Sequence, residues 1–146
     1  MKLVSIDREH FAQWKDYRDK LYDFLDDSFN EKEMEQTFYR EDWFCYFLAD
    51  EQDRIFGLVE LSSRNIVDGC LSSPVAYLEG LFLEKEYRHK GMGKQALTII
   101  KAWCKEKGYK ELATDAELDN VDAQQFYQAL GFQETYRVVE FRIDVK

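Results

Sequence analysis

Apolar and polar positions along the chain follow two periods, one typical of strands and one typical of helices. Alternation over residues 2–6 predicts a short strand. Asp7 fits the cap of a helix over about 8–25, because apolar residues follow it at helical spacing: Phe11, Trp14, Tyr17 and Leu21. A second helical stretch over 31–39 completes the first quarter of the chain.

The middle of the chain predicts strands. Residues 43–49 are rich in aromatic side chains and are followed by a polar turn and the apolar run 54–61, a pattern typical of a hairpin. Residues 62–74 include a glycine and the only proline, which indicates a loop. The run 75–83 is apolar apart from Glu79 and its neighbouring glycine, and this favours a strand in the interior of a sheet.

The last third predicts a helix, a strand and a further helix. Residues 91–107 place apolar side chains on one helical face, and the strand 111–116 follows, so that the order from 75 onward is strand, helix, strand. Residues 120–130 predict another helix. Two short strands, 132–136 and 138–145, are predicted after it. The fold class is therefore α/β, with a mixed central sheet and helices on both faces.

Length and composition narrow the possible classes of protein. The chain has 146 residues, the size of one domain, so residues 1–146 are expected to form a single domain. It contains no apolar run of the ~20 residues that cross a bilayer, and its first residues do not resemble a signal peptide. The three cysteines are odd in number and widely spaced, which favours a reducing cytoplasm.

The chain is strongly acidic. Its net charge of -9 disfavours nucleic acid and anionic membrane surfaces as partners and favours a cationic small molecule, such as a polyamine. Acid is concentrated over residues 23–42, where eight carboxylates face only Lys32 and Arg40. This segment is either an ordinary solvated helical face or a rim that attracts cations.

A basic turn with two glycines lies between the strand 75–83 and the helix that follows. Backbone N–H groups at the start of a helix, together with glycines that allow close approach, suit a pyrophosphate. The turn contains Arg88, Gly91 and Gly93, and the pattern Arg-x-x-Gly-x-Gly resembles the acetyl-CoA signature of the GNAT N-acetyltransferases. Residues 120–132 resemble a second GNAT segment, Asn-x-x-Ala-x-x-Phe-Tyr-x-x-x-Gly-Phe.

The resemblance extends to the aminoglycoside 6'-N-acetyltransferases through residues 69–82 and 130–135. It implies the GNAT fold, in which the strands at 75–83 and 111–116 splay apart and pantetheine lies between them. It also implies acetyl-CoA as co-substrate, no metal, and a homodimer, for which the apolar residues 138–145 are a further reason. The implied coenzyme contacts are Leu81, Phe82, Leu83, Arg88, His89, Lys90, Gly91, Met92, Gly93, Lys94 and Asn120.

Acetyl transfer to an amine requires a group that removes a proton from an ammonium, because an alkyl amine is almost fully protonated at neutral pH. Glu79 and Asp115 are the candidates, since each lies among apolar or small residues of a predicted strand, where an unpaired carboxylate is costly. Each could instead be a paired structural acid, and the sequence does not tell which one is the base. By the same resemblance, Tyr127 is the residue that protonates the departing thiolate, and the N–H near Leu81 stabilises the oxyanion.

Three further positions are expected to face the acceptor by resemblance: Tyr22, Ile66 and Tyr136. The aminoglycoside enzymes are expected to carry a tyrosine near Ile66 and an acid near Tyr136, so this chain departs from the family at both. The acceptor is therefore an aminoglycoside 6'-amine or another polycationic amine. A non-catalytic sensor of acyl-CoA is the alternative from a different class. Catalysis through a covalent cysteine is disfavoured, since no histidine lies near Cys70 and the other two cysteines belong to apolar faces.

Overall fold

Five strands form one mixed sheet and lie across it in sequence order. In the computed structural model, which describes all 146 residues, the strands are β1 (Lys2–Ser5), β2 (Trp43–Ala49), β3 (Ile55–Arg64), β4 (Val75–Leu83) and β5 (Leu112–Thr114). Neighbouring strands from β1 to β4 are antiparallel, and β5 is parallel to β4. The chain divides into two compact units, Met1–Asp115 and Ala116–Lys146, which are described in turn.

Four α-helices accompany the sheet in the sequence: α1 (Phe11–Leu21), α2 (Asp27–Phe38), α3 (Met92–Glu106) and α4 (Val121–Ala129). Asp7 begins a short 3-10 turn, Arg8–His10, that leads into α1. The helix predicted over 8–25 ends earlier, because Tyr22 leaves the helical conformation and turns inward. The next helix starts earlier than predicted, because Asp26 caps it by accepting the Phe29 N–H at 2.7 Å.

Helices cover both faces of the sheet in the first unit, as the sequence predicts. On one face, α1 and α2 bury Trp14, Tyr17 and Met34 against Phe47 and Leu58 of the strands. Each such side chain contributes roughly 1.5–3 kcal/mol when fully buried. On the other face, Trp103 of α3 packs edge-on against the aromatic rings of β2, Phe44 at 5.1 Å and Tyr46 at 6.2 Å between ring centroids.

Strand β4 carries two irregularities. It pairs with β5 only between Ala76 and Leu78, so its second half has no neighbour on that side. It also contains a bulge: Gly80 lies opposite Glu60 and Leu78 lies opposite Leu61, which leaves Glu79 as an extra residue. The second half of β4 is thus open on the side where the GNAT resemblance implies a splay, and the bulge follows directly after the last paired residue, Leu78.

The second unit contains α4, which Asn120 caps by accepting the Ala123 N–H at 3.1 Å. Gly131 ends it in the left-handed region with φ +100°. Residues 132–146 contain no strand, so the predictions of strands over 132–136 and 138–145 are wrong for the single chain. Alternating apolar residues favour a pleated surface, but a strand also needs a neighbour to pair with, and none pairs with these residues. No helix anywhere in the protein has the length and apolar character needed to cross a membrane.

Candidate active site

Glu79 lies at the β4 bulge with only 13% of its side chain exposed. Its carboxylate is held by two neighbours on β3. The hydroxyl of Ser62 donates to Oε2 at 2.5 Å, and Nη2 of Arg64 lies 2.9 Å from Oε1 and 3.0 Å from Oε2. The prediction that Glu79 is a largely buried acid within an apolar strand is confirmed, and its counter-ion is Arg64.

Asp115 is connected to the same cluster through Tyr77. The Tyr77 hydroxyl donates to Oδ2 of Asp115 at 2.5 Å, and the guanidinium of Arg64 lies 3.5 Å above the centre of the Tyr77 ring. Burial raises the pKa of Tyr77, and the bond to Asp115 raises it further, so the phenol stays protonated and keeps donating. The two predicted carboxylates are therefore joined by one chain of contacts: Glu79, Arg64, Tyr77, Asp115.

Asp115 is more exposed than the sequence predicts. The sequence places it inside the strand 111–116, whereas β5 ends at Thr114 and Asp115 is exposed just beyond it. Thr114 closes the strand by donating its hydroxyl to the Leu78 carbonyl at 2.8 Å. An exposed carboxylate at this point remains accessible to a cationic acceptor.

Tyr22 turns its hydroxyl toward the sheet. The oxygen lies 3.0 Å from Oε1 of Glu60 and 3.2 Å from the Glu79 carbonyl, and burial is the main cause that raises the pKa of Tyr22. A Cβ added at Gly80 would overlap this hydroxyl, so the glycine makes room for it. Tyr22 thereby contacts the backbone of the bulge directly.

Glu60 is a functional candidate that the sequence reasoning missed. It is fully buried in β3 and accepts N–H groups from Trp14 at 2.7 Å and from Arg18 at 2.6 and 2.8 Å. Arg18 also bonds Asn30 and Glu33. The signal that drew attention to Glu79, a carboxylate inside an apolar strand, is equally present at Glu60. Because the Tyr22 hydroxyl bonds both Glu60 and the Glu79 carbonyl, this buried cluster helps to fix the position of the bulge.

The basic turn before α3 has the local geometry of an anion cradle. His89 and Gly91 both lie in the left-handed region, at φ +60° and +74°. The first bond of the helix joins the Gln95 N–H to the Gly91 carbonyl at 3.1 Å, which leaves the preceding N–H groups without an acceptor in the helix. Arg88 braces the turn by donating from Nε to the Leu83 carbonyl at 2.7 Å. The other predicted coenzyme residues in this turn are Lys90, Met92, Gly93 and Lys94.

The remaining predicted residues of the first unit lie on β4 and on the loop before it. Phe82 is buried against Tyr17, with ring centroids 5.1 Å apart, whereas Leu81 and Leu83 are partly exposed. Their stretch of β4 is the part without a β5 neighbour, which leaves backbone groups available to a ligand. Ile66 is 84% exposed on the loop between β3 and β4.

Three predicted residues belong to the second unit. Asn120 uses its side chain to cap α4. The Tyr127 ring packs edge-on against Phe126 and Phe132, each at 5.5 Å between centroids. Tyr136 is 66% exposed in the segment after α4.

The cysteines do not provide an activated nucleophile. Burial raises the pKa of all three thiols, to about 11 for Cys104, and acidic neighbours raise those of Cys45 and Cys70 further. A raised pKa lowers the thiolate fraction at neutral pH. This agrees with the sequence-based preference for direct transfer over a covalent intermediate.

Comparison with known proteins decides the family. The sequence matches the profile of the acetyltransferase (GNAT) family over residues 14–132. The chain belongs to the GNAT family. It is also 33% identical over 143 residues to an aminoglycoside N(6')-acetyltransferase type 1 of Salmonella typhimurium, across 97% of this chain and 98% of that protein. The GNAT resemblance stated from the two motifs is confirmed.

Solved structures agree with the GNAT assignment. The crystal structure of the aminoglycoside 6'-N-acetyltransferase AAC(6')-Ih from Acinetobacter baumannii is similar, with a TM-score of 0.84 and 31% identity over 99% of both chains. AAC(6')-Iy in complex with the bisubstrate analogue CoA-S-monomethyl-acetylneamine gives a TM-score of 0.84 at 29% identity, covering 99% of this chain and 98% of that one. The predicted α/β GNAT fold is confirmed, and GNAT enzymes take acetyl-CoA as their acetyl donor.

Proposed function

We propose that this GNAT enzyme transfers the acetyl group of acetyl-CoA to the 6'-amine of aminoglycosides. The observation that carries the proposal is the pair Glu79 and Asp115, linked through Arg64 and Tyr77 at the point where β4 and β5 part. Full-length similarity to aminoglycoside 6'-acetyltransferases supports the choice of acceptor. The net charge of -9 also suits a polycation.

The proposed reaction is direct attack by the amine nitrogen on the thioester carbon in a ternary complex. A carboxylate of the pair holds the ammonium and accepts its proton, directly or through water, and either Glu79 or Asp115 can take this role. The N–H of Leu81, on the unpaired part of β4, stabilises the oxyanion of the tetrahedral intermediate. The C–S bond then breaks, and Tyr127 donates a proton to the coenzyme A thiolate. The nitrogen releases its second proton to solvent, from which Tyr127 is protonated again.

Coenzyme binding is proposed to use the β4 end and the turn after it. Backbone groups of Leu81, Phe82 and Leu83 bond pantetheine, and the turn from Arg88 to Lys94 holds the pyrophosphate. The left-handed Gly91 and the unbonded N–H groups of the first turn of α3 support this role. Asn120 is proposed to contact the far arm of the coenzyme in addition to its capping bond.

The acceptor contacts are proposed to include Tyr22, Ile66 and Tyr136 beside the two carboxylates. Tyr22 contributes by fixing the bulge, since its hydroxyl bonds the Glu79 carbonyl. Another polycationic amine is the second candidate acceptor, favoured by one observation: the exposed Ile66 and Tyr136 stand where the aminoglycoside enzymes are expected to have a tyrosine and an acid, so a hydroxyl and a negative charge are missing.

Three further features belong to the proposal. Residues 1–146 act as one acetyltransferase domain, since the family profile spans most of the chain. The active form is a homodimer, because the segment after α4 exposes alternate apolar side chains that a second copy would cover: Val139, Phe141, Ile143 and Val145. The reaction takes place in the cytoplasm, because three free cysteines are typical of a reducing compartment. Light scattering and cell fractionation test the last two points.

The function is tested by release of coenzyme A from acetyl-CoA with purified protein. The acceptors are kanamycin, tobramycin, an aminoglycoside that lacks a 6'-amine, spermidine and a lysine peptide. Turnover confined to drugs with the 6'-amine is expected. Turnover with spermidine or the peptide alone would mean that the two carboxylates bind a different cationic acceptor. No turnover above the rate of thioester hydrolysis would favour a non-catalytic sensor of acyl-CoA.

A further inference from the structure

Arg64 is a cation placed inside an acidic site. Three N–O distances join it to Glu79: 2.9 and 3.0 Å from Nη2, and 3.2 Å from Nε. The same guanidinium stacks on Tyr77, whose hydroxyl is bonded to Asp115. Arg64 therefore contacts Glu79 directly and is linked to Asp115 through the ring and hydroxyl of Tyr77.

These are the contacts that a substrate ammonium needs. A protonated amine bound near Glu79 would have to bond the same oxygens that Arg64 now occupies, because Ser62 holds Oε2 from another side at 2.5 Å. The Tyr77 face, covered by Arg64 at 3.5 Å, is likewise a favourable surface for a cation. Arg64 thus stands where an incoming cation would be most stable.

The side chain of Arg64 is nevertheless only partly enclosed. It is 43% exposed and lies at the last position of β3, next to the loop that leads to β4. An ion pair with a partly exposed cation is weaker than a fully enclosed pair, because water screens the exposed charge. By contrast, the buried Arg18 that holds Glu60 is only 1% exposed.

We propose that Arg64 is an internal competitor of the cationic acceptor and a determinant of acceptor specificity. It neutralises Glu79 in the free enzyme and leaves when a polycation binds. A monocation gains little by displacing a guanidinium that makes equal contacts, whereas a polycation has further charges to place on the surrounding acid. The proposal rests on the proposed function only for the identity of the acceptor.

The test compares wild-type enzyme with Arg64→Gln, which removes the cation. KM for tobramycin is expected to fall roughly twofold to fivefold, the equivalent of the partly exposed ion pair that no longer has to be broken. KM for acetyl-CoA is expected to stay unchanged. Arg40→Gln is the matched control, because Arg40 makes a similar two-bond pair with Asp42 at 2.8 Å on the surface. That control should leave both constants unchanged.

A direct binding measurement separates this inference from the proposed function. Tobramycin and spermidine are titrated calorimetrically into both proteins, whether or not the wild type turns them over. Tighter binding of either polycation to Arg64→Gln than to wild type supports the competitor role, even if no aminoglycoside is acetylated. Equal or weaker binding of both polycations overturns it, even if tobramycin is a good substrate.

Discussion

Nη1 of Arg18 lies 2.6 Å from one oxygen and 2.8 Å from the other oxygen of Glu60, and neither side chain is more than 1% exposed. Burial lowers the pKa of Arg18, but the charge of Glu60 and the hydrogen bonds to Glu60 and Glu33 together outweigh burial and raise the pKa, so Arg18 stays charged. Trp14 and Tyr22 supply further bonds to the carboxylate. A completely bonded pair of this kind is sensitive to the loss of one partner.

The first prediction concerns that pair. Arg18→Met is expected to lower the free energy of unfolding by about 3–5 kcal/mol, because it leaves the Glu60 charge buried without its partner. Urea denaturation measures the loss. Arg40→Met, which breaks the exposed pair with Asp42, is the control and should change stability by less than about 1 kcal/mol. Equal losses in the two variants would contradict a special role of burial.

The second prediction concerns the glycine beneath Tyr22. Gly80→Ala is expected to destabilise the protein by about 1–3 kcal/mol, because the new methyl would overlap the Tyr22 hydroxyl and lie only 2.8 Å from Leu21. Tyr22→Phe removes the closer of the two contacts. The two substitutions should therefore be non-additive, with a smaller loss for Gly80→Ala in the Tyr22→Phe background. Additive losses would place the strain elsewhere.

The third prediction concerns the turn before α3. Gly91→Glu is expected to abolish coenzyme A binding in calorimetry, because it adds a negative charge and a side chain where the pyrophosphate is proposed to lie. Gly108→Glu is a close control: Gly108 follows the same helix, lies at φ +89°, and like Gly91 has open space within 4 Å of the point where a Cβ would stand. Both variants carry similar backbone strain, so a loss of binding confined to Gly91→Glu reports the charge and bulk added at the turn, whereas equal losses would contradict the proposed pyrophosphate site.

The fourth prediction concerns Asp115. Asp115→Asn is expected to spare coenzyme A binding and to lower kcat, by about 10²-fold or more if Asp115 is the base. Asp50→Asn is the matched control, because Asp50 also accepts a tyrosine hydroxyl, that of Tyr87 at 2.8 Å, but lies in the turn between β2 and β3 and not beside β5. If Asp115→Asn impairs coenzyme binding and turnover equally, its role is structural.

The fifth prediction concerns pH and the loop between β3 and β4. Bonds to Glu111 from the Ser72 hydroxyl and from backbone N–H groups outweigh burial and hold the pKa of Glu111 below its usual 4.5. A lowered pKa means that these contacts are complete above pH 4.5 and are lost as pH falls through the folded pKa. Hydrogen exchange at the Leu71 amide should lose protection on acidification, and Glu111→Gln should weaken that dependence.

The elements that pack against a core follow well from the sequence. The predictions of β4 and α3 are correct, because the apolar residues of their patterns lie on faces that are buried, as at Leu78 and Ile100. The boundaries near Tyr22 and Asp26 are wrong because side-chain bonds decide them, and periodicity carries no information about such bonds. The strands predicted after residue 131 fail for a related reason, since alternation cannot supply a pairing partner.

The candidate site follows from the sequence only in part. Glu79 stands out as a charge within apolar residues, and the basic turn stands out as a motif. Arg64 does not, because it follows two serines at the start of a segment that is predicted as a loop, and its partner is fixed by strand pairing. Tyr77 is equally inconspicuous, since an aromatic residue in a strand is ordinary until its hydroxyl is found on Asp115.

The extra residue in β4 also determines which side of the sheet each neighbour faces. Side chains alternate along a strand, so Tyr77 and Phe82, five positions apart, would point in opposite directions in a regular strand. Their partners on β3, Ser62 and Leu58, are an even number of positions apart and share a face, so Tyr77 and Phe82 share it as well. Deleting residue 79 would therefore invert every side chain on one side of the deletion and carry the Tyr77 hydroxyl away from Asp115. The extra residue thus shifts the alternation of side chains along β4 by one position. The chain of contacts from Glu79 to Asp115 depends on that shift.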